Sequence, residues 1–379
     1  MKELAIFGST GSIGCSTLNV VRRHRDRFAV SILAAGRNLQ RLIEQIREFN
    51  PRHVYIIGEK DAAVLKALFP GLDIYRGEDG MDKVSRLTDF DIGVSALVGV
   101  AGLRPTWNMI NNGKTVALAN KEVLVAGGRL VMEAARKQGA ALLTVDSEHS
   151  AIMQCLRGEN HGEIERILLT ASGGPFFDRE ITDGITPEEA LRHPTWKMGP
   201  KITIDSATMM NKGFEIIEAR WLFDVPVERV QVVIHRQSIV HSMVEFKDGS
   251  IMANIAPPDM ELPIAYALSY PERMEMPQRL DLFAMKALEF KAPDEEKFPC
   301  LRLAKEVARA GHGAQVVLNA ANEALVARFL AGGLRFTDIP RGVEEMLRQH
   351  TPGEPGSIDE VLALDEETRH RTEEWMKTR

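Results

Sequence analysis

Two acidic side chains separated by one residue are the first candidates for chemistry here: Asp146-Ser147-Glu148 follows the apolar run Ala141–Val145. In an extended segment, positions two apart face the same way, so Asp146 and Glu148 can converge. Carboxylates that meet in a cleft repel each other and gain from a cation, and an all-oxygen ligand set selects a hard one, Mg²⁺ or Mn²⁺. His149 adjoins them but points the other way in an extended chain. A helix start, with acids favoured by its positive end, explains the same residues without a metal.

A second cluster spans Lys201 to Glu215. Lys201–Ile204 reads as a strand running into a helix that starts near Ser206. Asn211 and Glu215, four apart, share a helix face, with Lys212 beside them. Ser206, Asn211 and Lys212 supply hydroxyl, amide and point charge, a set suited to phosphate. Glu215 can be a third metal carboxylate; Glu218, one turn on, supports it or is merely solvated. A capped amphipathic helix with Ser206 as N-cap is the plainer alternative.

Three shorter stretches read as site loops. In Thr170-Ala171-Ser172-Gly173-Gly174-Pro175-Phe176, which follows a strand, the glycines free the backbone and Ser172 can donate to a phosphate oxygen. His193-Pro194-Thr195-Trp196-Lys197-Met198-Gly199-Pro200 is bracketed by prolines and suits a lid that excludes water. Asn120-Lys121-Glu122 follows the strand Thr115–Ala119. There Lys121 can polarise a carbonyl or contact substrate hydroxyls, and Glu122 can hold a cofactor hydroxyl. Packed surface loops, and Asn120 as a helix cap, are the corresponding structural explanations.

The N-terminus reads strand, then Gly8-Ser9-Thr10-Gly11-Ser12-Ile13-Gly14, then helix. The GxxGxxG spacing is a relative of the dinucleotide fingerprint: glycines let the backbone turn and approach a pyrophosphate, which the helix N-terminus receives. The second strand ends in Ala34-Ala35-Gly36-Arg37-Asn38, with no acid for a ribose 2′-hydroxyl. Arg37 can instead pair with a 2′-phosphate, which selects NADPH. A solvated first-turn arginine is the alternative.

These residues need elements to hold them. The strands Glu3–Phe7, Val30–Ala35, His53–Ile57, Ile92–Val98, Thr115–Ala119 and Ala141–Val145 alternate with amphipathic helices. One helix is capped by Asn38, with Leu39, Leu42, Ile43 and Ile46 on one face. The alternation predicts a Rossmann-like α/β domain with a parallel sheet over residues 1–145. Residues 146–265 read as a second α/β domain for catalysis and dimerisation, with a mostly antiparallel sheet. Its strands are Arg166–Thr170, Val230–Ile234, Ile239–Phe246 and Ser250–Ile255, the last two joined through the hairpin signal Asp248-Gly249. Residues 266–295 look like a connecting arm. Residues 296–379 predict a C-terminal helical bundle, with Leu318, Ala321, Leu325 and Phe329 near one face and Ser357 with Glu360 as a capping box.

Composition sets the outer bounds. The 379 residues are 44% hydrophobic and 26% charged, enough for two or three packed domains and unlike a disordered chain. A net charge of −6 argues against a nucleic-acid protein with a broadly basic surface. Cys15, Cys155 and Cys300 form neither a disulfide framework nor a CxxC pair, which fits a reducing cytosol. No apolar run reaches the ~20 residues of a membrane span. Glu3 stands where a leader would be basic, so neither membrane nor export is expected, and the cytoplasm is the expected location.

The runs GSTGSIG, AGRN, LANKE, DSEHSA, SGGPF, HPTWKMG, DSATMMNKGFE and HSMVEFKDGS, in this order from Met1 to Pro263, resemble the 1-deoxy-D-xylulose 5-phosphate reductoisomerase family. The resemblance implies conversion of 1-deoxy-D-xylulose 5-phosphate to 2-C-methyl-D-erythritol 4-phosphate, the committed step of the non-mevalonate isoprenoid route. It also implies NADPH, one Mg²⁺, Mn²⁺ or Co²⁺, and a homodimer. On this chain Thr10, Gly11, Ser12, Ile13, Gly36, Arg37, Asn38, Asn120, Glu122 and Gly199 would hold NADPH. Asp146, Glu148 and Glu215 would bind the metal and, with Lys121, form the catalytic set. Lys121, Ser147, Glu148 and Glu215 would touch the substrate near its reacting carbons. Ser172, His193, Ser206, Asn211 and Lys212 would form its phosphate end, and Trp196 and Met198 would lie on the lid. Some family members carry Lys in place of Arg37. Carbon–carbon cleavage and recombination, then hydride reduction of an aldehyde, is the mechanism the family favours. Three alternatives make opposite predictions: a metal-independent dehydrogenase survives chelation, a nucleotide-binding sensor oxidises no NADPH, and an isomerase or aldolase turns over without nicotinamide.

Overall fold

The computed structural model describes residues 1–285, 287–351 and 353–378. They form two compact units, one of Met1–Val123, Val131–Ser150 and Asp259–Met276, the other of Leu124–Leu130, Ala151–Pro258 and the chain from Pro277.

The N-terminal part alternates strictly: β1 (Lys2–Phe7), α1 (Ser12–Arg23), β2 (Phe28–Ala35), α2 (Leu39–Phe49), β3 (His53–Ile56), α3 (Glu59–Leu68), β4 (Asp73–Arg76), α4 (Gly77–Ser85), β5 (Ile92–Ser95), α5 (Leu103–Asn111), β6 (Thr115–Leu118), α6 (Glu122–Gln138), β7 (Leu142–Thr144) and α7 (Ser147–Cys155). The strands form one sheet in the order β4-β3-β2-β1-β5-β6-β7, and every neighbouring pair is parallel. The order reverses at β1, so the crevice beyond the carboxyl ends of β1 and β5 is where a doubly wound sheet binds ligands. Local chemistry sets the helix ends. Asn38 Oδ1 accepts the Arg41 N–H at 3.1 Å and caps α2, and Asn50, in the left-handed region ahead of Pro51, ends it.

The second unit opens with β8 (Ile164–Ala171), α8 (Pro187–Ala190), α9 (Pro200–Ala207), α10 (Met210–Phe223), β9 (Val230–Ile234), β10 (Val240–Phe246) and β11 (Ile251–Ile255). Its sheet runs β11-β10-β8-β9. The β10–β11 hairpin turns at Asp248-Gly249, where Gly249 has φ +84° and Asp248 Oδ1 accepts the Ser250 N–H at 2.9 Å. The sheet is mixed rather than mostly antiparallel, because β8 and β9 pair in parallel. Their connection, residues 172–229, is long enough to return β9 in the same direction, as a parallel neighbour requires.

The strand expected at Lys201–Ile204 is instead the first half of α9. Pro200 sits in the first turn, where its missing N–H costs nothing and its fixed φ favours a helix. Lys201 and Asp205, one turn apart, form an ion pair at 2.8 Å. The helix therefore starts at Pro200, and Ser206 lies near its end rather than at an N-cap. Met209, at φ +62°, separates α9 from α10, and Thr208 Oγ1 accepts the Met210 N–H at 3.3 Å.

α11 (Glu261–Ser269) belongs to the first unit, where Glu261 takes Asn19 at 2.9 Å and Arg23 from α1. α12 (Pro299–Ala310), α13 (His312–Leu330), α14 (Asp338–Gln349) and α15 (Ile358–Met376) complete the second unit. Leu318, Ala321, Leu325 and Phe329 are all buried there. Phe336 meets Phe176 and Phe329 edge-on, at 5.1 and 5.6 Å between ring centres. Ser357 caps α15 through the Glu360 N–H, while the Glu360 carboxylate takes the N–H of Gly356. All three cysteines are free thiols; burial pushes Cys155 up to about 11 and Cys300 up to about 12. No described helix is long and apolar enough to cross a membrane.

Candidate active site

In the first unit the glycine loop joins β1 to α1. Gly8 has φ +99°, and a Cβ there would stand 2.3 Å from the Ala96 carbonyl oxygen beyond β5. A Cβ at Gly14 would stand 2.3 Å from the Gly8 carbonyl. Helix α1 thus sits directly on the end of β1, with Gly11 and Ser12 exposed at its N-terminus. Thr10 and Ile13 are partly exposed beside them, and the Thr10 carbonyl accepts from Arg41 at 3.2 Å. Gly36, Arg37 and Asn38 lie exposed at the end of the adjacent β2.

Beyond β6, the Asn120 side chain donates to the carbonyls of Leu97 at 2.6 Å and Gly99 at 2.9 Å. It therefore does not cap α6, and its Oδ1 is buried with no hydrogen-bond partner. Lys121, 5% exposed, reaches across to Asp146 beyond β7, Nζ to Oδ2 at 2.7 Å. Glu122, buried, opens α6.

Asp146-Ser147-Glu148 is not extended. α7 begins at Ser147, and Asp146 Oδ1 accepts the Glu148 N–H at 3.2 Å as a cap. The carboxylates nevertheless stay neighbours, and Ser147 Oγ donates to Glu148. The helical turn also corrects His149: it is fully buried, with Nδ1 3.1 Å from Asp146 Oδ1 rather than pointing away.

In the second unit Ser172 and His193 meet, Oγ to Nε2 at 2.9 Å. His193 Nδ1 accepts the backbone N–H groups of Thr195 at 3.2 Å and Trp196 at 2.9 Å. That nitrogen carries no proton, so the ring is the neutral Nε2–H tautomer and donates to Ser172. Ser172 Oγ also accepts the Gly174 N–H at 3.3 Å, which leaves the hydroxyl proton to be given elsewhere. Gly174, at φ +67°, packs on Ser206: a Cβ there would stand 2.5 Å from the Ser206 carbonyl oxygen. On α10, Asn211 Nδ2 donates to Glu215 Oε1 at 2.6 Å, and Lys212 forms an ion pair with the same buried carboxylate. Asn211 Oδ1 is buried without a hydrogen-bond partner. Glu218, one turn beyond Glu215, is buried too. Trp196 leans against His241 with ring centres 6.3 Å apart, and Gly199 is exposed at the start of α9.

Within each unit the expected residues therefore gather into groups. Two supporting features escaped sequence reading. Arg236 Nη1 bonds the carbonyls of Ser172 and Gly174. Asn322 of α13 donates to the buried Asp205 at 2.7 Å, opposite Lys201. Neither belongs to a motif, and both act across long sequence separations.

Three family models match the chain: 1-deoxy-D-xylulose 5-phosphate reductoisomerase over residues 4–128, its C-terminal domain over 142–223, and the DXP reductoisomerase C-terminal domain over 255–371. A 1-deoxy-D-xylulose 5-phosphate reductoisomerase of Prosthecochloris aestuarii is 52% identical over 370 residues, 96% of this chain and 97% of the relative. One from Shouchella clausii is 48% identical over 374 residues, 97% of this chain and 99% of the relative. Among solved structures, a DOX-P reductoisomerase in complex with NADPH, fosmidomycin and magnesium superposes with a TM-score of 0.96 at 40% identity, covering 100% of this chain and 98% of that one. The Zymomonas mobilis enzyme in complex with NADPH gives 0.92 at 42%, covering 100% of both chains. With the glycine loop, the paired acids and the Ser172 turn all in place, this chain belongs to the 1-deoxy-D-xylulose 5-phosphate reductoisomerase family.

Proposed function

We infer that the chain converts 1-deoxy-D-xylulose 5-phosphate to 2-C-methyl-D-erythritol 4-phosphate with NADPH and a divalent metal ion, as a step toward isoprenoids. The observation that carries this reading is the grouping at one edge of the parallel sheet. Lys121, Asp146 and Glu148 cluster beyond β6 and β7, in the same sheet whose β1 ends in the glycine loop.

The residues present fit both groups. For NADPH, the tight Gly8 and Gly14 contacts leave the α1 N-terminus open to a pyrophosphate, and Arg37 is exposed where a 2′-phosphate would lie. The buried, unsatisfied Oδ1 of Asn120 supplies an acceptor at the same edge. Thr10, Gly11, Ser12, Ile13, Gly36, Arg37, Asn38, Asn120, Glu122 and Gly199 would hold it. For the metal, Asp146, Glu148 and Glu215 give an all-oxygen donor set that suits Mg²⁺ or Mn²⁺, with Co²⁺ also accommodated. When bound, the ion supplies Lewis acidity for the skeletal rearrangement and the dinucleotide supplies hydride.

The chain's own groups do the rest. Lys121, held by Asp146, presents an ammonium to substrate oxygens, and Ser147 and Glu148 orient its hydroxyls. Ser172, His193, Ser206, Asn211 and Lys212 bind the phosphate. The hydroxyl proton of Ser172 and the charge of Lys212 anchor the molecule remote from the reacting carbons. Trp196 and Met198 close over the site and exclude water. We assign NADPH binding to residues 1–145, catalysis and dimerisation to 146–265, linkage to 266–295 and the helical bundle to 296–379, in a cytoplasmic homodimer.

The test is NADPH oxidation with 1-deoxy-D-xylulose 5-phosphate and Mn²⁺, the product identified by NMR. Formation of 2-C-methyl-D-erythritol 4-phosphate, abolished by a chelator and restored by metal, is expected. Turnover that survives full chelation overturns the metal-dependent mechanism.

A further inference from the structure

We propose that Arg236 is a positioning residue for the substrate phosphate, acting through the backbone of the Ser172–Gly174 turn. This rests on the reading of Ser172 as a phosphate donor. Arg236 lies two residues beyond β9, its side chain 29% exposed. Its Nη1 donates to the Ser172 carbonyl at 2.8 Å and to the Gly174 carbonyl at 2.6 Å. The guanidinium lies over the Phe177 ring, 5.8 Å from its centre. Asp178, 3.6 Å from Nε and 61% exposed, is a screened partner that leaves most of the positive charge in force.

The turn needs such a clamp. Gly173 and Gly174 both hold positive φ, +79° and +67°, in a part of the chain where glycine has the most freedom to lose. By drawing two carbonyls to one side, Arg236 fixes the direction of the peptides between them. The Ser172–Gly173 peptide is trans, so its N–H points away from the arginine while its carbonyl faces it. An anion on that far side meets the Gly173 N–H and the Ser172 hydroxyl proton, with the Ser172 carbonyl already held by Arg236 behind them. Because Gly174 abuts the Ser206 carbonyl, the same clamp also sets how Ser172 stands relative to the end of α9.

The experiment measures kcat, the KM values for 1-deoxy-D-xylulose 5-phosphate and NADPH, and the competitive inhibition constant of inorganic phosphate. Arg236→Ala is expected to raise the phosphosugar KM and the phosphate inhibition constant about tenfold, as loss of part of two charge-assisted hydrogen bonds should. kcat should stay within about twofold and the NADPH KM should not move. Arg236→Lys keeps a charged donor and should recover most of the loss. A merely structural role would lower the melting temperature and the active fraction, leaving both phosphate constants at wild-type values, and that result overturns the proposal. Should Arg236→Ala fail to fold, Arg236→Gln, too short and uncharged to bridge the carbonyls, carries the test against Arg236→Lys; wild-type constants in both overturn it. Lys212→Ala runs in parallel. If Lys212→Ala raises the KM and Arg236→Ala does not, the clamp alone fails. If neither raises it, the phosphate assignment fails with it.

Discussion

Replacing Gly14 by alanine tests the cofactor loop through geometry alone. The added Cβ would stand 2.3 Å from the Gly8 carbonyl oxygen and 2.5 Å from the Cα and carbonyl oxygen of Ser9. All three atoms are backbone, so no rotamer change relieves the clash. Ordinary contact begins near 3.4 Å, so α1 must withdraw from the end of β1 by roughly 1 Å. A hydrogen bond of ~2.9 Å from the first turn of α1 to a pyrophosphate oxygen then stretches beyond bonding range. Losing the equivalent of one bond to a charged acceptor, about 1.5–3 kcal/mol, raises the NADPH dissociation constant about 10- to 100-fold. Overpacking costs a further ~1–3 kcal/mol of stability. The assay is fluorescence titration of NADPH, with a thermal melt to confirm folding. Gly71→Ala is the control, since a Cβ there meets nothing within 4 Å. A folded Gly14→Ala protein that binds NADPH within twofold of wild type refutes the reasoning.

Arg37→Ala should raise the KM for NADPH much more than that for NADH; equal effects count against a 2′-phosphate role. Glu215→Gln keeps an acceptor for Asn211 but removes the charge paired with Lys212, and should abolish turnover while NADPH titrates normally. Loss of both would point to misfolding. Burial alone would push the Asp338 carboxyl up, but Arg335 and Arg341 outweigh it and hold it below the usual carboxylate value. A lowered folded pKa stabilises above the ordinary carboxylate range, and that stability disappears as pH falls through the lowered value. Asp338→Asn should therefore melt below wild type at pH 7, with the gap closing in acid; a gap that persists unchanged at low pH contradicts the pairing.

The parallel sheet was readable because its signals are local: apolar runs, glycine turns, and caps such as Asn38. β4 escaped because none of its four residues is buried. Lys201–Ile204 misled because alternating Ile and Thr carry a strand pattern, while the helix is decided by Pro200 and the Lys201–Asp205 pair. The extended backbone expected for Asp146–Glu148 is instead a helix start. In the helix that forms, the first residue caps the turn carrying the second, and the same turn brings His149 against Asp146. The parallel pairing of β9 with β8 leaves no mark in either strand, since nothing in a strand's own residues names its neighbour. The Ser172–His193 contact was within reach only through resemblance, and Arg236 matched no motif.

The connection between β8 and β9 carries Ser172, His193, Ser206, Asn211, Lys212 and Glu215, and the strands it joins lie side by side. Arg192 and Lys197 are exposed midway along it, in a stretch with little regular structure, where a protease would find its easiest purchase. Scission there leaves one fragment holding β8 and the other holding β9, zipped together along the sheet and fastened where Gly174 seats on Ser206. A nicked molecule would run as two bands under denaturing conditions yet travel as one particle in its native form.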